Sequence, residues 1–427
     1  MAMTAPTDIV GRHATNGRPI LQSSEHALAE ARALLPLLAQ QDSQFEADRR
    51  LPDAVVDRIR ATGLFGIVMP RDLGGSELGF ADLVRVTAEI GAVSGSAAWI
   101  YGVLAGHSWL INLFPADAQQ EVMQDPTTLL ATVFRLNGEV VEEGDGYRLR
   151  GGLGRFCSGI DYASWVIIGN AVKKSDGSME PRFFVIPRSD LEVLDDWHTM
   201  GMRATGSRSI RIDDAFIPAH RSCSLADMLA GSTPGARLHE SAVYRLPFSS
   251  VAPFSIVGAP LGMAQGMIKR FADDLGSKLA EADPLEVAEQ SATLGRIAEV
   301  SAEVDAALAL VIADAETIDR ARDPREITPL ISARISRDWA WAVQRARHSA
   351  NRIFEASGGT AIYDGERMQQ MFRDINASSQ HFAFTWDRAM PAYGRAMAGL
   401  KPGSFALPSR EPGRKGCPRC VASASPR

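Results

Sequence analysis

The chain has 427 residues, 45% of them hydrophobic and 22% charged, a composition that suits a globular protein of two or three packed domains. Its net charge of −6 is spread along the chain, which excludes the basic stripe that a nucleic-acid binder needs. No apolar run approaches the ~20 residues that span a bilayer, and the opening segment holds Arg12 and Arg18 without an apolar signal core, so a cytoplasmic enzyme is expected.

Residues 1–22 are expected to be flexible, and residues 23–127 to form a helical domain. Ser23 and Ser24 suit a helix cap ahead of Leu28, Ala31, Leu34, Leu35 and Leu38, with Pro36 bending the helix. Pro52 opens a second helix that buries Val55, Val56 and Ile59 and stops near Gly63. A third runs through Leu83, Val86 and Ile90. A fourth, almost wholly apolar, holds Trp99 to Leu104, with His107 just beyond it.

The pattern changes near Leu129. Across residues 128–240 short β-rich runs follow one another: Leu129–Phe134, Tyr147–Arg150, Trp165–Ile168, Arg182–Ile186 and Ser209–Ile217. Turn formers separate them, with no helical stretch between, which predicts an antiparallel barrel or sandwich and not a doubly wound sheet.

Helical periodicity returns over residues 241–400. Segments Gly262–Leu275, Leu294–Val311, Thr328–Ile353 and Ile375–Met397 give four long helices, enough for a bundle. Trp99, Trp109, Trp339 and Trp341 fall on helical faces and are expected in the core. Residues 401–427 read as a disordered tail. Of the four cysteines, Cys417 and Cys420 form a lone pair in that tail without a second ligand pair, so no metal site is expected.

This order, and several local stretches, resemble the acyl-CoA dehydrogenase superfamily over roughly residues 25–400. The stretches are Leu51-Pro52, Gly63-Leu64-Phe65-Gly66, Met69-Pro70 with Gly74-Gly75, Trp197 with Gly201–Ser207, Gly358-Gly359 and Phe372-Arg373-Asp374. The resemblance implies an α+β fold with an N-terminal helical domain, a middle antiparallel β-domain, a C-terminal four-helix bundle, and a homotetramer. It also implies a flavin. Ser158 in Phe156-Cys157-Ser158 stands where the family places a hydroxyl on the N5 edge of the flavin ring, and Phe156 where an aromatic residue flanks that ring. Gly358 and Gly359 would lie near the flavin at a subunit contact.

A dehydrogenase of this family needs a carboxylate base, commonly in the loop after the last Arg-Asp. Here that stretch, Asp374 to His381, holds no Glu and ends on a histidine. The Gly-rich acidic loop of dehydrogenases is replaced by Ala131–Gly138, and the Arg-Phe-Gly set against the flavin pyrophosphate is missing from Phe271–Lys278. Ser158 together with His381 resembles another branch, the oxygenase components of two-component flavin monooxygenases of the 4-hydroxyphenylacetate 3-monooxygenase type.

Such enzymes take reduced flavin, FMNH2 or FADH2, from a separate reductase and use O2, by way of a C4a-hydroperoxide, to hydroxylate an aromatic substrate. The roles implied are Ser158 at N5, His381 as proton donor beside the oxygen, His107 binding or deprotonating a phenol, and Arg245 as a cation offsetting flavin charge. The alternatives are an acyl-CoA dehydrogenase or flavin oxidase with its base elsewhere, or an N-, S- or indole-oxygenating member of the fold.

Overall fold

The structure is a computed structural model that describes residues 19–401. Most of the expected flexible N-terminus, and all of the tail beyond Lys401 with Cys417 and Cys420, lie outside the described residues.

Five helices open the described chain: α1 (Ser24–Asp48), α2 (Asp53–Ala61), α3 (Phe80–Gly91), α4 (Gly95–Leu110) and α5 (Ala116–Val122). Ser23 caps α1 by accepting from the His26 N–H, as its position suggested. Ser94 caps α4 in the same way through the Ala97 N–H. That early cap and the lack of proline carry α4 through His107, past Gly102 and Gly106, which pack against Ser255, so His107 lies inside the helix and not beyond its end.

Eight strands follow: β1 (Leu130–Val133), β2 (Glu139–Glu143), β3 (Gly146–Cys157), β4 (Trp165–Lys173), β5 (Met179–Pro187), β6 (Glu192–Val193), β7 (Arg208–Pro218) and β8 (Ser222–Ser224). They form one sheet in the order β6-β7-β3-β2-β4-β5-β8, with β1 also on β4. Most pairings are antiparallel as expected, but β1 and β2 both run parallel to β4, one beside its start and the other beside its end. The bend between β1 and β2 is held by Leu136 N–H donating to Gly169 O, and by Asn137 N–H donating to Leu153 O. One face of the sheet buries its own apolar layer, including Val133, Leu149, Ile168 and Ile212.

Eight more helices complete the chain: α6 (Leu225–Ala230), α7 (Phe248–Val251), α8 (Phe254–Leu279), α9 (Pro284–Glu289), α10 (Ser291–Arg320), α11 (Pro329–Ala356), α12 (Arg367–Ser378) and α13 (Trp386–Met397). Helices α8, α10 and α11 pack on one another, α12 packs on α8 and α11, and α13 lies along α11. The fourth expected helix, Ile375–Met397, is two helices. The chain leaves α12 at Ser378, makes a short 3-10 turn over Phe382–Phe384, and re-enters at Trp386. Phe248–Leu279 is apolar and long enough to pass for a membrane span, contrary to the sequence expectation; in the fold most of its apolar 18-residue window is buried. Gly262 of α8 faces α3 so closely that a Cβ would run into the Ala88 carbonyl, and this contact brings α8 against the N-terminal helices.

Candidate active site

A cavity of about 1740 Å³ lies where α4, the sheet, α8, α11 and the α12–α13 break meet. That exceeds the roughly 300–1,000 Å³ of a single-ligand pocket, so two ring systems can share it. Its walls are mostly aromatic and aliphatic, with hydroxyls and two histidines placed among them.

Helix α4 forms one wall. Trp99 and His107 both line the cavity and stand eight residues apart on the helix, about 12 Å along its axis at 1.5 Å per residue. The Trp99 indole N–H donates to Ser158 Oγ at 3.3 Å. The same ring meets His381 edge-on, with centroids 5.7 Å apart. Ser158, Trp99 and His381 therefore mark one end of the cavity, and His107 lies further along it.

The β3 end presents Phe156 and Ser158. The register of β3 against β7 slips between Gly154 and Cys157, a bulge that re-aims the strand end. Phe156 takes φ 65 there, an uncommon conformation for a bulky residue that the surrounding pairing must hold in place. Its ring is 68% exposed at the cavity and meets Trp197 edge-on at 6.0 Å. Exposed aromatic surface of this kind suits a stacked or flanking planar ligand.

The two histidines have opposite polarity. His107 is buried, and its Nδ1 lies 2.8 Å from Leu130 O. A carbonyl only accepts, so the proton is on Nδ1 and Nε2 carries a lone pair. His381 is the reverse. Its Nδ1 accepts from the Ala383 N–H at 3.2 Å, capping the 3-10 turn, so the neutral ring carries its proton on Nε2. Burial pushes both rings down, His107 to about 4 against a weaker pull from Leu130, and His381 to about 3 with help from the Arg388 charge. Both are neutral at physiological pH, with their tautomers set by the backbone.

A strap of residues 197–207 closes the Ser158 end of the cavity and is tied to α12. Arg373 donates to Met200 O at 2.5 Å, and Asp374 accepts from the Met202 N–H at 2.5 Å. Burial raises Asp374 to about 7, opposed by that N–H and reinforced by Asp42 and Glu46. Gly201 lies against Arg373 so tightly that a Cβ would strike its carbonyl.

Not every expected residue converges. Ser158, Phe156, His107 and His381 all line the cavity; Arg245, Gly358 and Gly359 do not. Arg245 is turned back on its own loop and donates to His239 O and Glu240 O, both at 3.0 Å. The cations at the cavity are instead Arg135, Arg155, Arg388 and Arg395. Gly358, at φ 75, and Gly359 lie on open surface beside Ile362 and Tyr363, each 69% exposed. Trp99, Trp109 and Trp339, expected only in the core, all line the cavity as well. Large apolar residues on a helix face give the same sequence pattern whether they bound a core or a chamber.

A ring with an apolar body and a polar edge fits this donor set: flat aromatic walls, a serine hydroxyl at the rim and neutral imidazoles beyond it. An isoalloxazine has that shape.

Comparison with known proteins agrees. The acyl-CoA dehydrogenase N-terminal domain model matches residues 23–126, and the acyl-CoA dehydrogenase C-terminal domain model matches residues 254–386. HsaA, the oxygenase subunit of a flavin-dependent monooxygenase from Mycobacterium tuberculosis, is 31% identical over 385 residues, which is 90% of this chain and 98% of HsaA. Its crystal structure matches with a TM-score of 0.83, covering 90% of this chain and 99% of that one. The oxygenase component of an FADH2-dependent resorcinol hydroxylase from a Rhizobium strain is 29% identical, over 84% of this chain and 90% of its own. A Streptomyces protein, XiaF, solved with FADH2 and glycerol, is 25% identical with a TM-score of 0.80, covering 90% of this chain and 98% of its own.

Proposed function

This chain belongs to the acyl-CoA dehydrogenase family, as an oxygenase subunit of the flavin-dependent monooxygenases, and from that membership we propose how its two histidines divide the work of hydroxylating a phenol-like aromatic substrate. Reduced flavin, supplied by a separate reductase, provides the electrons that activate dioxygen. Ser158 and Phe156 hold the flavin ring at its N5 edge and flank. His381 would offer its Nε2–H, held in place by the Nδ1 contact, where negative charge develops on the oxygen. His107 offers the Nε2 lone pair to the substrate hydroxyl.

The observation that carries this reading is the opposed polarity of the two rings, each set by one backbone contact. The lowered His107 favours binding the phenol over deprotonating it outright. A phenol titrates near 10 and His107 at about 4, so full transfer in the resting complex is uphill by about six units, or about 8 kcal/mol. His107 therefore binds the phenol by accepting its hydrogen bond. The proton crosses only as the ring gives up electron density. Arg388, beside His381, takes the electrostatic part expected of Arg245, and its charge helps to keep His381 neutral. The aromatic walls exclude water from the reacting oxygen.

The test uses the purified chain, a flavin reductase, O2 and a panel of phenols. Hydroxylated product formed with one O2 consumed per turnover supports the proposal. A tightly held flavin that is bleached by an acyl-CoA, with no phenol oxidised, would sink it.

The assembly we propose is a cytoplasmic homotetramer. The support is local: Ile362 and Tyr363 form exposed apolar surface next to Gly358-Gly359, which a second copy would cover and so bring the double glycine to a neighbouring site.

A further inference from the structure

Ser158 stands at one end of a chain of hydroxyls whose direction is set at the other end. Thr205 Oγ1 lies 2.8 Å from Met202 O. A carbonyl has only lone pairs to offer, so at that distance Thr205 must donate; turned round, two oxygens would face each other unshielded. A hydroxyl has one proton. With it committed to Met202, Thr205 can only accept from Ser207, 2.7 Å away. Ser207 can then only accept from Ser158, also at 2.7 Å. The Trp99 indole, a donor and nothing else, adds its N–H to Ser158 Oγ. Ser158 has spent its proton, and what it has left is a lone pair.

We infer that this relay makes Ser158 a hydrogen-bond acceptor and thereby selects flavin protonated at N5, the reduced form, over oxidised flavin. The inference rests on the assignment of Ser158 to the N5 edge and deepens it, naming Thr205 and Ser207 as positioning residues and redox state as the property selected. Reduced flavin carries N–H at N5, which Ser158 can accept. Oxidised flavin presents a lone pair there, and two acceptors would meet. Thr205 is 2% and Ser207 4% exposed where they border the cavity, which leaves solvent little access to either hydroxyl. The anchor of the relay is held from both sides. The Met202 N–H is taken by Asp374, and the Met202 carbonyl also accepts from Trp197 Nε1 at 3.1 Å. An oxygenase that receives reduced flavin from a separate donor needs such a preference, because the oxidised form must leave after each turnover.

The test is the affinity of the whole chain for oxidised and reduced FMN and FAD, measured anaerobically, together with the midpoint potential of the bound flavin. The wild type is expected to hold the reduced form more tightly. Thr205→Val removes the anchoring hydroxyl with little change of shape, so Ser207 and Ser158 can turn and donate. It should tighten oxidised flavin relative to reduced by about tenfold, the scale of one hydrogen bond gained against one lost. The bound potential should fall by about 30 mV for the two-electron couple. Ser207→Ala should act in the same direction, and Thr205→Ser should keep the wild-type ratio. A ratio and potential unmoved in both Thr205→Val and Ser207→Ala, in a protein that still prefers reduced flavin, would overturn the relay alone. So would a Thr205→Ser variant that behaves like Thr205→Val. A wild type that binds neither form would overturn the flavin assignment as well.

Discussion

His381 performs two tasks that a single substitution can separate. Its Nδ1 caps the 3-10 turn through the Ala383 N–H, and its Nε2–H is the donor we propose for the reacting oxygen. In His381→Asn the amide oxygen can reach the same N–H, since Asn is a good cap, but nothing replaces Nε2. The ring also touches Trp99, Phe382 and Phe384, and losing those three contacts costs roughly 0.5–1.5 kcal/mol each, about 2–4 kcal/mol in all. Stability should therefore change by about that amount. The loss of the preorganised donor falls on the barrier instead, by about 3–4 kcal/mol, or roughly 10²–10³ in turnover. The assay counts hydroxylated product and hydrogen peroxide per O2 consumed, beside a thermal melt. Product should fall by two orders of magnitude or more while peroxide rises and Tm falls by several degrees. An Asn variant that keeps wild-type turnover and coupling would refute the donor role. A loss of activity that merely follows a collapse in Tm would refute the separation of the two tasks.

Acid sensitivity follows from His107. Its folded value of about 4 lies below the ordinary 6.5, so between those limits the unfolded chain takes a proton that the folded chain refuses. Stability from this residue is full above about pH 6.5 and drains away toward pH 4, by about 3 kcal/mol. Urea melts of wild type minus His107→Gln should show that slope, with the opposing raised carboxyls Asp314, Asp319 and Asp374 cancelling in the difference; a flat difference from pH 7 to 4.5 would contradict it. Gly201→Ala should push the strap off α12, lowering Tm by several degrees and weakening flavin binding, since its Cβ meets the Arg373 backbone. Ile362→Glu with Tyr363→Lys should break the proposed tetramer, read as a fall in mass by light scattering; an unchanged mass would place the interface elsewhere.

The order of helices, strands and helices was legible because it rests on periodicity, and Ser23 and Pro52 marked helix starts by their chemistry. β2 escaped notice because only Val140 of its five residues is buried, leaving a charged run with little strand character. The Gly144-Asp145-Gly146 turn was the signal that could have found it. The break between α12 and α13 carries neither Gly nor Pro, so periodicity ran straight through Ser379–Thr385 and hid the device that presents His381. Ser158, His107 and His381 were named from resemblance, yet nothing in the sequence could give their polarity. That depends on which carbonyl or N–H lies in hydrogen-bond reach: Leu130 O of His107, the Ala383 N–H of His381 and, by way of Thr205 and Ser207, Met202 O for Ser158.

The stretch from Asp374 to His381 also explains why this scaffold is poorly equipped to take a proton from carbon. A base for that task must be a carboxylate held at the cavity. Asp374 is the only carboxylate in the stretch; it is buried, does not line the cavity, and is committed to the Met202 N–H. Asp387, which does line the cavity, is exposed on α13 and lies outside that stretch. The resemblance places the base after Asp374, where no Glu stands, and Asp374 itself serves as a tether. Through Met202 it steadies the carbonyl on which Thr205, Ser207 and Ser158 are aligned, and through the adjoining break it precedes the turn that offers the His381 Nε2–H. Removing it with Asp374→Asn, which keeps an acceptor oxygen for the Met202 N–H, should therefore leave the flavin preference nearly intact. Asp374→Ala should loosen the strap and erase that preference, and hydroxylation should fall with it. If Asp374→Asn alone abolished turnover while flavin binding stayed normal, the carboxylate would be taking part in the chemistry and its assignment as a tether would be wrong.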